Sequence, residues 1–412
     1  MIKNLNMSNQ EEPKAIKLSE IIDFDDMHSD GVICSSKHLW NEEGLKAEGE
    51  SGLPIRFRVI YNSLSPFSSS GIFTKQQLNN AFHKIKSDNP WIKTIYHIDL
   101  IKEIHGFIKY ANNAVSFSIR SPKNIVNFKL PDHLVEDDEK EIITKLNEKF
   151  PQGVKIVSRF STKEGDVDEI YQTVQIKNKN GFISEKEMIE TIKMNGVKLE
   201  YIRIPSIDHH PISPQTIVKF TSFIQNKFNP ETDWLHIHCH GGKGRSTSIS
   251  IIFDMLQKLE KSTLSEISFK ELIKFHKDSG GKDLTPKDTD SEWKKHHAEI
   301  RYNNLEKVYH LLNKIDEYGL KPIYSVALEA CLLHDKIALE NISQIVEKCN
   351  INILRVFYSD KAFLETQLIK LHNDHHLAYE INYNEYNEDE DSDSGGSMLC
   401  ALNERELFMD MC

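Results

Sequence analysis

A short segment between two apolar runs carries the groups that could do chemistry. The segment HIHCHGGKGRSTS, residues 236–248, places Cys239 six positions before Arg245. A glycine-rich turn that leads into a helix points successive backbone N–H groups at one place, where an oxyanion can bind. The helix dipole and nearby cations favour the Cys239 thiolate, and Arg245 offers a planar fork for two phosphate oxygens. The phosphate-binding residues predicted within this loop are His240, Gly241, Gly242, Lys243 and Gly244.

The flanking residues predict how this loop is held. WLHIH before Cys239 indicates a buried strand, and STSISIIFDMLQKL after Arg245 indicates a helix with Ser246 near its start. His238 is expected beneath the loop as an orienting residue rather than as a base. Elsewhere KQQLNNAFHKIKS predicts an amphipathic helix, and PQTIVKFTSFIQNKF a helix with Pro214 in its first turn. Strands that alternate with helices predict an α/β sheet.

Composition divides the chain into segments of different character. The sequence predicts a polar leader at 1–45, a domain that contains the Cys239–Arg245 loop at 46–324 and, within it, a β-rich partial domain at 114–179. A helical C-terminal module is expected at 325–382. The tail at 383–412 holds nine acidic residues against one basic, so eight of the eleven net negative charges lie there. Because it cannot supply a core, the tail is expected to be disordered, and the body can still hold a basic pocket.

The cysteine content and hydropathy indicate a cytoplasmic protein. Six scattered cysteines lack paired spacing and are expected to be thiols in a reducing compartment. We predict neither a secretory signal nor a transmembrane segment, because no apolar run approaches the roughly 18 residues that a span needs. No nucleic-acid partner is expected. The histidines show no metal-binding spacing such as HExxH, so neither a metal nor another cofactor is predicted.

The sequence resembles the cysteine-dependent phosphatases, whose signature is HCx5R[ST], and within them the protein-tyrosine-phosphatase-like inositol phosphatases, or cysteine phytases. The resemblance also includes DLIKEIHGF at 99–107, YIRIPSIDHHPISPQTIVKF at 201–220 and KDTDSEWKKHH at 287–297. It implies a twisted mixed sheet flanked by helices, with a small β-rich insertion. This chain departs from the family's DLRxExHGF pattern, because Ile101 replaces a cation and Lys102 follows it.

The same resemblance implies roles for individual residues. Asp208, in SIDHHP, matches the acid that protonates the leaving oxygen, which an inositol alkoxide requires. His209 matches a histidine that contacts substrate phosphate, and Lys287 matches a lysine near the pocket. Ser246 matches the hydroxyl that helps the sulfur leave. The implied reaction is a two-step, metal-independent hydrolysis in which Cys239 becomes a phosphocysteine.

Several alternatives remain open at this point. Lys243 is similar to a lysine in phosphoinositide phosphatases, so the substrate is either a soluble inositol phosphate or a phosphoinositide, and the lipid would imply peripheral membrane contact. A protein tyrosine or dual-specificity phosphatase would use the same loop. A non-catalytic phosphoinositide-binding effector would instead act through its helical module, whose partner is unknown. The acidic tail resembles the secretion signals of bacterial type IV effectors, or it is a solvating extension.

Overall fold

The computed structural model describes residues 33–36, 52–61, 65–110, 113–119, 130–151, 153–161, 167–175, 180–287, 292–333 and 339. These residues all lie in one structural unit, 1–342. The acidic tail and most of the predicted leader and C-terminal module lie outside the described residues, and residues 33–36 of the leader form a strand. Within the described part, no helix is long and apolar enough to cross a membrane.

The described strands form two sheets. They are β1 Ile33–Ser36, β2 Arg58–Ile60, β3 Phe67–Ser70, β4 Thr94–Ile101, β5 His105–Tyr110, β6 Asn113–Ile119, β7 Gly153–Ser161, β8 Val167–Gln175, β9 Phe182–Ile183, β10 Lys198–Ser206 and β11 Asp233–His238. The central sheet has the order β10-β4-β11-β3-β2, and only β2 runs antiparallel to its neighbour. The second sheet has the order β8-β7-β1-β6-β5-β9 and is mostly antiparallel.

Helices flank the central sheet. They are α1 Lys75–Asp88, α2 Asp132–Lys149, α3 Glu185–Glu190, α4 Pro214–Lys227, α5 Gly244–Glu260, α6 Phe269–Asp278, α7 Glu292–Glu317 and α8 Tyr324–Leu333. The predicted α/β class, with its mixed sheet, β-rich insertion and helical C-terminal region, is confirmed. The sequence explains the helix starts: Thr74 and Ser184 form capping boxes, and Ser213 caps a helix whose first residue is Pro214.

One face of the central sheet changes from apolar to polar along the strands. Its first row consists of Leu199, Ile95 and Trp234, the second of Tyr201, His97 and His236, and the third of Arg203, Asp99 and His238. Alternate residues of a strand share a face, so these rows lie on the same side. The apolar row packs against α1, where the predicted apolar face of Leu78, Phe82 and Ile85 is buried.

The polar rows matter because parallel strands end at a common edge. His238 pairs in register with Asp99 and with Ser70, at the carboxyl end of the central sheet. The next residue along the chain is Cys239, so the sheet places the predicted nucleophile at the edge where ligands of α/β proteins commonly bind. The loop that starts there is therefore supported from below by a buried polar layer rather than by an apolar core.

Candidate active site

The loop from Cys239 to Arg245 forms a tight turn between β11 and α5. Cys239 is 2% exposed, and its Sγ lies 3.5 Å from the hydroxyl of Ser246. Helix α5 begins at Gly244 immediately after Lys243, so its first N–H groups open onto the loop. The structure thus places the sulfur at the base of a loop next to a helix N-terminus, where negative charge is stabilised.

Gly242 shows why the turn needs a residue without a side chain. Its φ of +63° lies in the left-handed region, which glycine adopts without steric cost. A Cβ at this position would also stand 2.5 Å from the backbone nitrogen of Gly71. The loop therefore packs directly against the segment that follows β3, and any larger residue at 242 would displace it.

Three donors outside the loop bind its carbonyl groups. The backbone nitrogen of Ile72 donates to the His240 oxygen at 3.0 Å, Arg56 Nη1 to the Gly241 oxygen at 2.8 Å, and Arg58 Nη1 to the Gly242 oxygen at 2.9 Å. A trans peptide points its N–H opposite to its carbonyl, so fixing these oxygens outward aims the following amides inward. Burial lowers the pKa of Arg58 to about 10, which still leaves it charged at neutral pH.

Arg245 connects the loop to two other segments. Its Nη1 donates to Glu103 Oε2 at 2.7 Å and to the Ser206 carbonyl at 2.9 Å, and its Nη2 lies 3.1 Å from Asp208 Oδ1. Burial works against the charge, but Glu103 and Asp208 outweigh it and raise the pKa of Arg245. Its buried Nε has no hydrogen-bond partner among the described residues. Nη1 is therefore held by protein, whereas Nε and Nη2 are the donors that a phosphate could engage.

Asp208 lies in a turn between β10 and α4. Its Oδ1 accepts a hydrogen bond from the backbone of His209 at 3.0 Å, and its Oδ2 lies 3.5 Å from His209 Nε2. Burial alone would raise the pKa of Asp208, but Arg245, His209 and His240 together lower it below its usual value. This carboxyl is consequently ionised at neutral pH and paired with Arg245.

A buried network of histidines and carboxylates supports the loop from beneath. Glu185, the first residue of α3, lies 2.6 Å from His97 Nε2, 2.8 Å from His238 Nε2 and 3.1 Å from His105 Nε2. Burial would raise the pKa of Glu185, but His238, His105 and His97 hold it well below its usual range. Burial likewise opposes protonation of His105, but Asp99 raises its pKa well above the ordinary value. The expected burial of His238 beneath the loop is confirmed.

The same network contains the groups whose spacing would suit a metal ion. Ligand atoms of His97, Glu185 and His238 lie within 4.8 Å of one another, as do those of Asp99, His105 and Glu185. The shortest separation, 2.6 Å between His97 and Glu185, is that of a strong hydrogen bond. That no metal takes part stays a prediction, which activity in a chelator would test.

Replacing Glu185 by glutamine should destabilise the protein by at least about 3 kcal/mol at neutral pH, because a buried ion network would lose its shared anion. The pKa of Glu185 is lower in the folded protein than its ordinary value of 4.5. Its contribution to the free energy of unfolding is therefore fully present above pH 4.5 and is lost as the pH falls through the lower folded-state pKa. The difference between wild type and Glu185→Gln should therefore shrink below about pH 4. Urea unfolding at several pH values measures it.

Glu190 provides the matched control for this prediction. It lies in the same helix, at the end opposite to Glu185, and is exposed. Glu190→Gln should change the free energy of unfolding by less than about 0.5 kcal/mol at every pH. Equal effects of the two substitutions would show that Glu185 does not hold the network together.

The structure brings most of the predicted site residues to one place. Cys239 contacts Ser246, Arg245 contacts Asp208, and His209 and Lys243 are exposed beside them. Lys287 instead lies in a loop, where its Nζ is 3.5 Å from Asp283, and its role stays a prediction. Lys102, in the segment DLIKEIHGF that differs from the family pattern, pairs with Asp132 at 3.1 Å.

Sequence reasoning missed several residues that hold the site. Glu103 and Arg203 lie in or beside recognised motifs, but their partners are distant along the chain. Nothing in the local pattern distinguishes Arg56, Arg58 and Arg301 from other surface cations. The only sequence feature that could have indicated their role is the residue type, because the arginine side chain is well suited to bind several carbonyl oxygens at once.

The structure places a cysteine at the carboxyl end of a parallel strand, followed by a tight loop and an arginine at the start of the next helix, as the resemblance to the HCx5R[ST] signature implies. The family model of the protein-tyrosine-phosphatase-like phytases, whose description reads "inositol hexakisphosphate", matches residues 109–257 of this chain. The predicted resemblance to that family is thereby confirmed over a segment that includes Asp208 and the whole loop.

Solved structures agree with this match in fold. The tandemly repeated phytase of this type from Mitsuokella multacida is 22% identical over 66% of this chain and 46% of its own, with a TM-score of 0.51. The myo-inositol phosphatase from the same organism, in complex with myo-inositol-(1,3,4,5)-tetrakisphosphate, is 22% identical over 65% and 45%, with a TM-score of 0.50. The chain spans about half the length of these relatives, and the likeness establishes the fold.

The curated relative is an effector. Effector protein hopD2 of Pseudomonas syringae pv. tomato is 26% identical over 160 residues, which are 39% of this chain and 31% of that protein. The chain thus spans about a third of the length of this relative.

Proposed function

We propose that the chain is a cysteine-dependent phosphatase that hydrolyses phosphomonoesters of inositol polyphosphates through a phosphocysteine intermediate. The observation that carries the proposal is the meeting of three reactive groups at one loop. The Cys239 sulfur lies at its base, the Arg245 guanidinium lies beside it, and the Asp208 carboxylate is 3.1 Å from that guanidinium. An isolated cysteine or an isolated ion pair would not indicate catalysis, whereas nucleophile, cation and acid together do.

The charge around the loop supports a substrate with several phosphates. Arg56, Lys243 and His209 lie around the site, and Lys243 and the half-exposed His209 face solvent while Cys239 stays buried. One phosphate bound above the sulfur would leave its ring neighbours beside Arg56, Lys243 and His209, and the arginine and lysine would form charge-assisted hydrogen bonds with them. The match to the phytase family model supports the same class of substrate.

The first step transfers the phosphoryl group to sulfur. The Cys239 thiolate attacks phosphorus in line, so an S–P bond forms as the P–O bond to the inositol oxygen breaks. Nε and Nη2 of Arg245, together with the inward amides, hold the equatorial oxygens and stabilise the charge that develops on them. Asp208, protonated once substrate is bound, donates its proton to the departing oxygen, which leaves as a neutral hydroxyl.

The second step regenerates the enzyme. Water attacks phosphorus, and the Asp208 carboxylate, which gave up its proton in the first step, accepts a proton from that water. The S–P bond breaks and inorganic phosphate leaves. The Ser246 hydroxyl, 3.5 Å from the sulfur, donates a hydrogen bond that stabilises the departing thiolate.

A substrate panel tests the proposed function. Purified protein should release phosphate from inositol hexakisphosphate, with at least about tenfold higher kcat/KM than from phosphotyrosine peptides, since the latter lack the additional phosphates. The activity should persist in EDTA, because every group that acts in the two steps belongs to the protein. Equal or greater activity on the peptides would instead assign the chain to the tyrosine or dual-specificity phosphatases.

The panel also distinguishes soluble from lipid substrates. The exposed position of Lys243 in the loop suits a phosphate on the same ring whether the ring is free or carries a lipid tail. Higher turnover on phosphoinositide vesicles than on soluble inositol phosphates would make the lipid the substrate and imply contact with a membrane surface. Binding without turnover on every ester would make the chain a non-catalytic binding module.

Delivery of the chain into a host cell is a separate proposal. It is supported by the likeness to an effector and by the acidic composition of residues 383–412. If this tail is a type IV secretion signal, its deletion should abolish translocation while leaving phosphate release intact. Unchanged translocation of the truncated protein would remove the proposal.

A further inference from the structure

Arg301 is a buried cation in α7 that contacts the loop of the predicted acid. Its Nη2 donates to the carbonyl oxygen of His209 at 2.9 Å and to that of His210 at 3.0 Å, 92 and 91 residues away in sequence. Arg301 is only 5% exposed. An arginine that is withdrawn from solvent and binds two successive carbonyls fixes the path of the backbone there.

Arg301 also touches the phosphate loop. A Cβ placed on Gly244 would stand 3.4 Å from Arg301 Nη1 and 3.5 Å from its Cζ, so the guanidinium packs against the first residue of α5. That residue directly precedes Arg245. One side chain from α7 therefore contacts both segments whose separation decides whether the acid can reach the leaving oxygen.

The backbone that Arg301 holds is strained at one residue. His209 has a φ of +61°, in the left-handed region that costs a residue with a side chain about 1 kcal/mol or more. The turn has local hydrogen bonds of its own, such as that between His210 Nδ1 and the Asp208 carbonyl at 2.8 Å. These bonds close the turn on itself, whereas Arg301 ties it to the helix that packs beside the phosphate loop.

We infer that Arg301 is a positioning residue for the general acid, which holds the turn of Asp208 at a fixed distance from the phosphate loop. The inference rests on the proposed function. Arg301 does not touch the reacting atoms; it acts through the backbone of His209 and His210. Positioning of this kind matters because a displacement of about 1 Å can lower the rate of a proton transfer by orders of magnitude.

The test compares two esters that differ in their need for an acid. Inositol hexakisphosphate has alkoxide leaving groups that must be protonated, whereas p-nitrophenyl phosphate releases a phenolate that leaves unaided. Arg301→Met should lower kcat for the inositol phosphate about 30-fold and that for the aryl phosphate less than about threefold. Arg301→Lys keeps a charged donor and should restore part of the loss.

The pH profile provides a second readout that a merely structural residue would not change. The charged and titratable groups around Asp208 are Arg245, His209, His240 and Arg301, with His210 and His297 in the neighbouring turn and helix. Arg301 and Asp208 attract each other, so removing the guanidinium should raise the pKa of Asp208. The pH profile of kcat/KM should have a falling limb, which is its decline with rising pH as Asp208 ionises. This limb should move to higher pH in Arg301→Met and stay in place in Arg301→Lys.

Lys307→Met is the matched control, since Lys307 is an exposed cation of the same helix. It should change neither the ratio of the two activities nor the pH limb. Equal losses on both esters in Arg301→Met, with no shift of the limb, would reduce Arg301 to a structural residue and overturn this inference alone. If Arg301→Met does not fold, the ratio of the two activities is measured in Arg301→Lys instead, and an unchanged ratio there would overturn the inference. Absence of turnover by the wild type on both esters would overturn the proposed function, and this inference with it.

Discussion

Replacing Cys239 by serine should lower phosphate release from inositol hexakisphosphate by at least about 10⁴-fold, to the background of the assay. The sulfur is the atom that forms the covalent bond to phosphorus, and a serine hydroxyl at the same place is not ionised near neutral pH. The neighbouring groups remain intact. The Arg58 and Arg245 guanidinium groups and the inward amides do not depend on the sulfur for their positions, because protein oxygens hold them.

Substrate binding should therefore survive the Cys239→Ser substitution. Isothermal titration with inositol hexakisphosphate should give a dissociation constant within about tenfold of the KM of the wild type. Cys331→Ser is the control, because Cys331 is a partly exposed cysteine of α8, outside the Cys239–Arg245 loop, and its substitution should leave turnover unchanged. Retention of activity by the Cys239→Ser protein would contradict the phosphocysteine intermediate, and simultaneous loss of binding would show that the substitution damages the loop.

The chemistry of the loop could be predicted from the sequence because it is local. Strand, nucleophile, glycines, arginine and helix follow one another within residues 233–260, so their order determines their geometry. Gly242 illustrates the point: a tight turn between a strand and a helix requires positive φ, and only glycine adopts it at no cost. The helices and strands near the loop were predictable for the same reason.

The residues that hold the loop could not be predicted, because their partners are distant in sequence. Arg245 binds Glu103 across 142 residues, and Arg58 binds Gly242 across 184. The polar face of the central sheet is a further case. WLHIH indicates a buried strand, but only the register with β4 and the arrival of Glu185 from α3 show that its histidines are paired with carboxylates. Burial of ionisable groups contradicts the usual pattern of a core, so the pattern alone could not predict it.

The ion pair between Asp208 and Arg245 determines what substitution of the acid should do. In the ligand-free protein Asp208 is ionised, since its pKa is lowered mainly by Arg245 against the opposing effect of burial. A substrate phosphate competes with the carboxylate for Nη2 of Arg245 and repels it, so the bound dianion should raise the pKa of Asp208. The acid is thus expected to become protonated only when a phosphate is present.

Asp208→Asn should accordingly lower kcat for inositol hexakisphosphate about 10³-fold, because the alkoxide loses its proton donor. The same variant should lose less than about tenfold on p-nitrophenyl phosphate. For the wild type, kcat/KM on the inositol phosphate should fall as the pH rises through the lowered pKa of Asp208 in the free enzyme, since the protonated fraction of Asp208 decreases with pH. Asp208→Asn should remove this decline, because asparagine does not titrate.

Substitution of an ionised acidic residue that pairs with lysines separates the role of the acid from that of the charge. Partial burial would raise the pKa of Asp283, but its hydrogen bonds to Lys277 and Thr285 lower the pKa to about 2. Asp283 is therefore ionised like Asp208, but it pairs with Lys277 and Lys287 instead of with an arginine. Asp283→Asn should leave the pH profile and the ratio of the two activities unchanged. If Asp208→Asn lost equal activity on both esters, Asp208 would be orienting Arg245 rather than protonating the leaving group. A decline with pH that survives in Asp208→Asn would assign the titrating acid to another residue, and Glu103, the second carboxylate on Arg245, would then be the group to substitute.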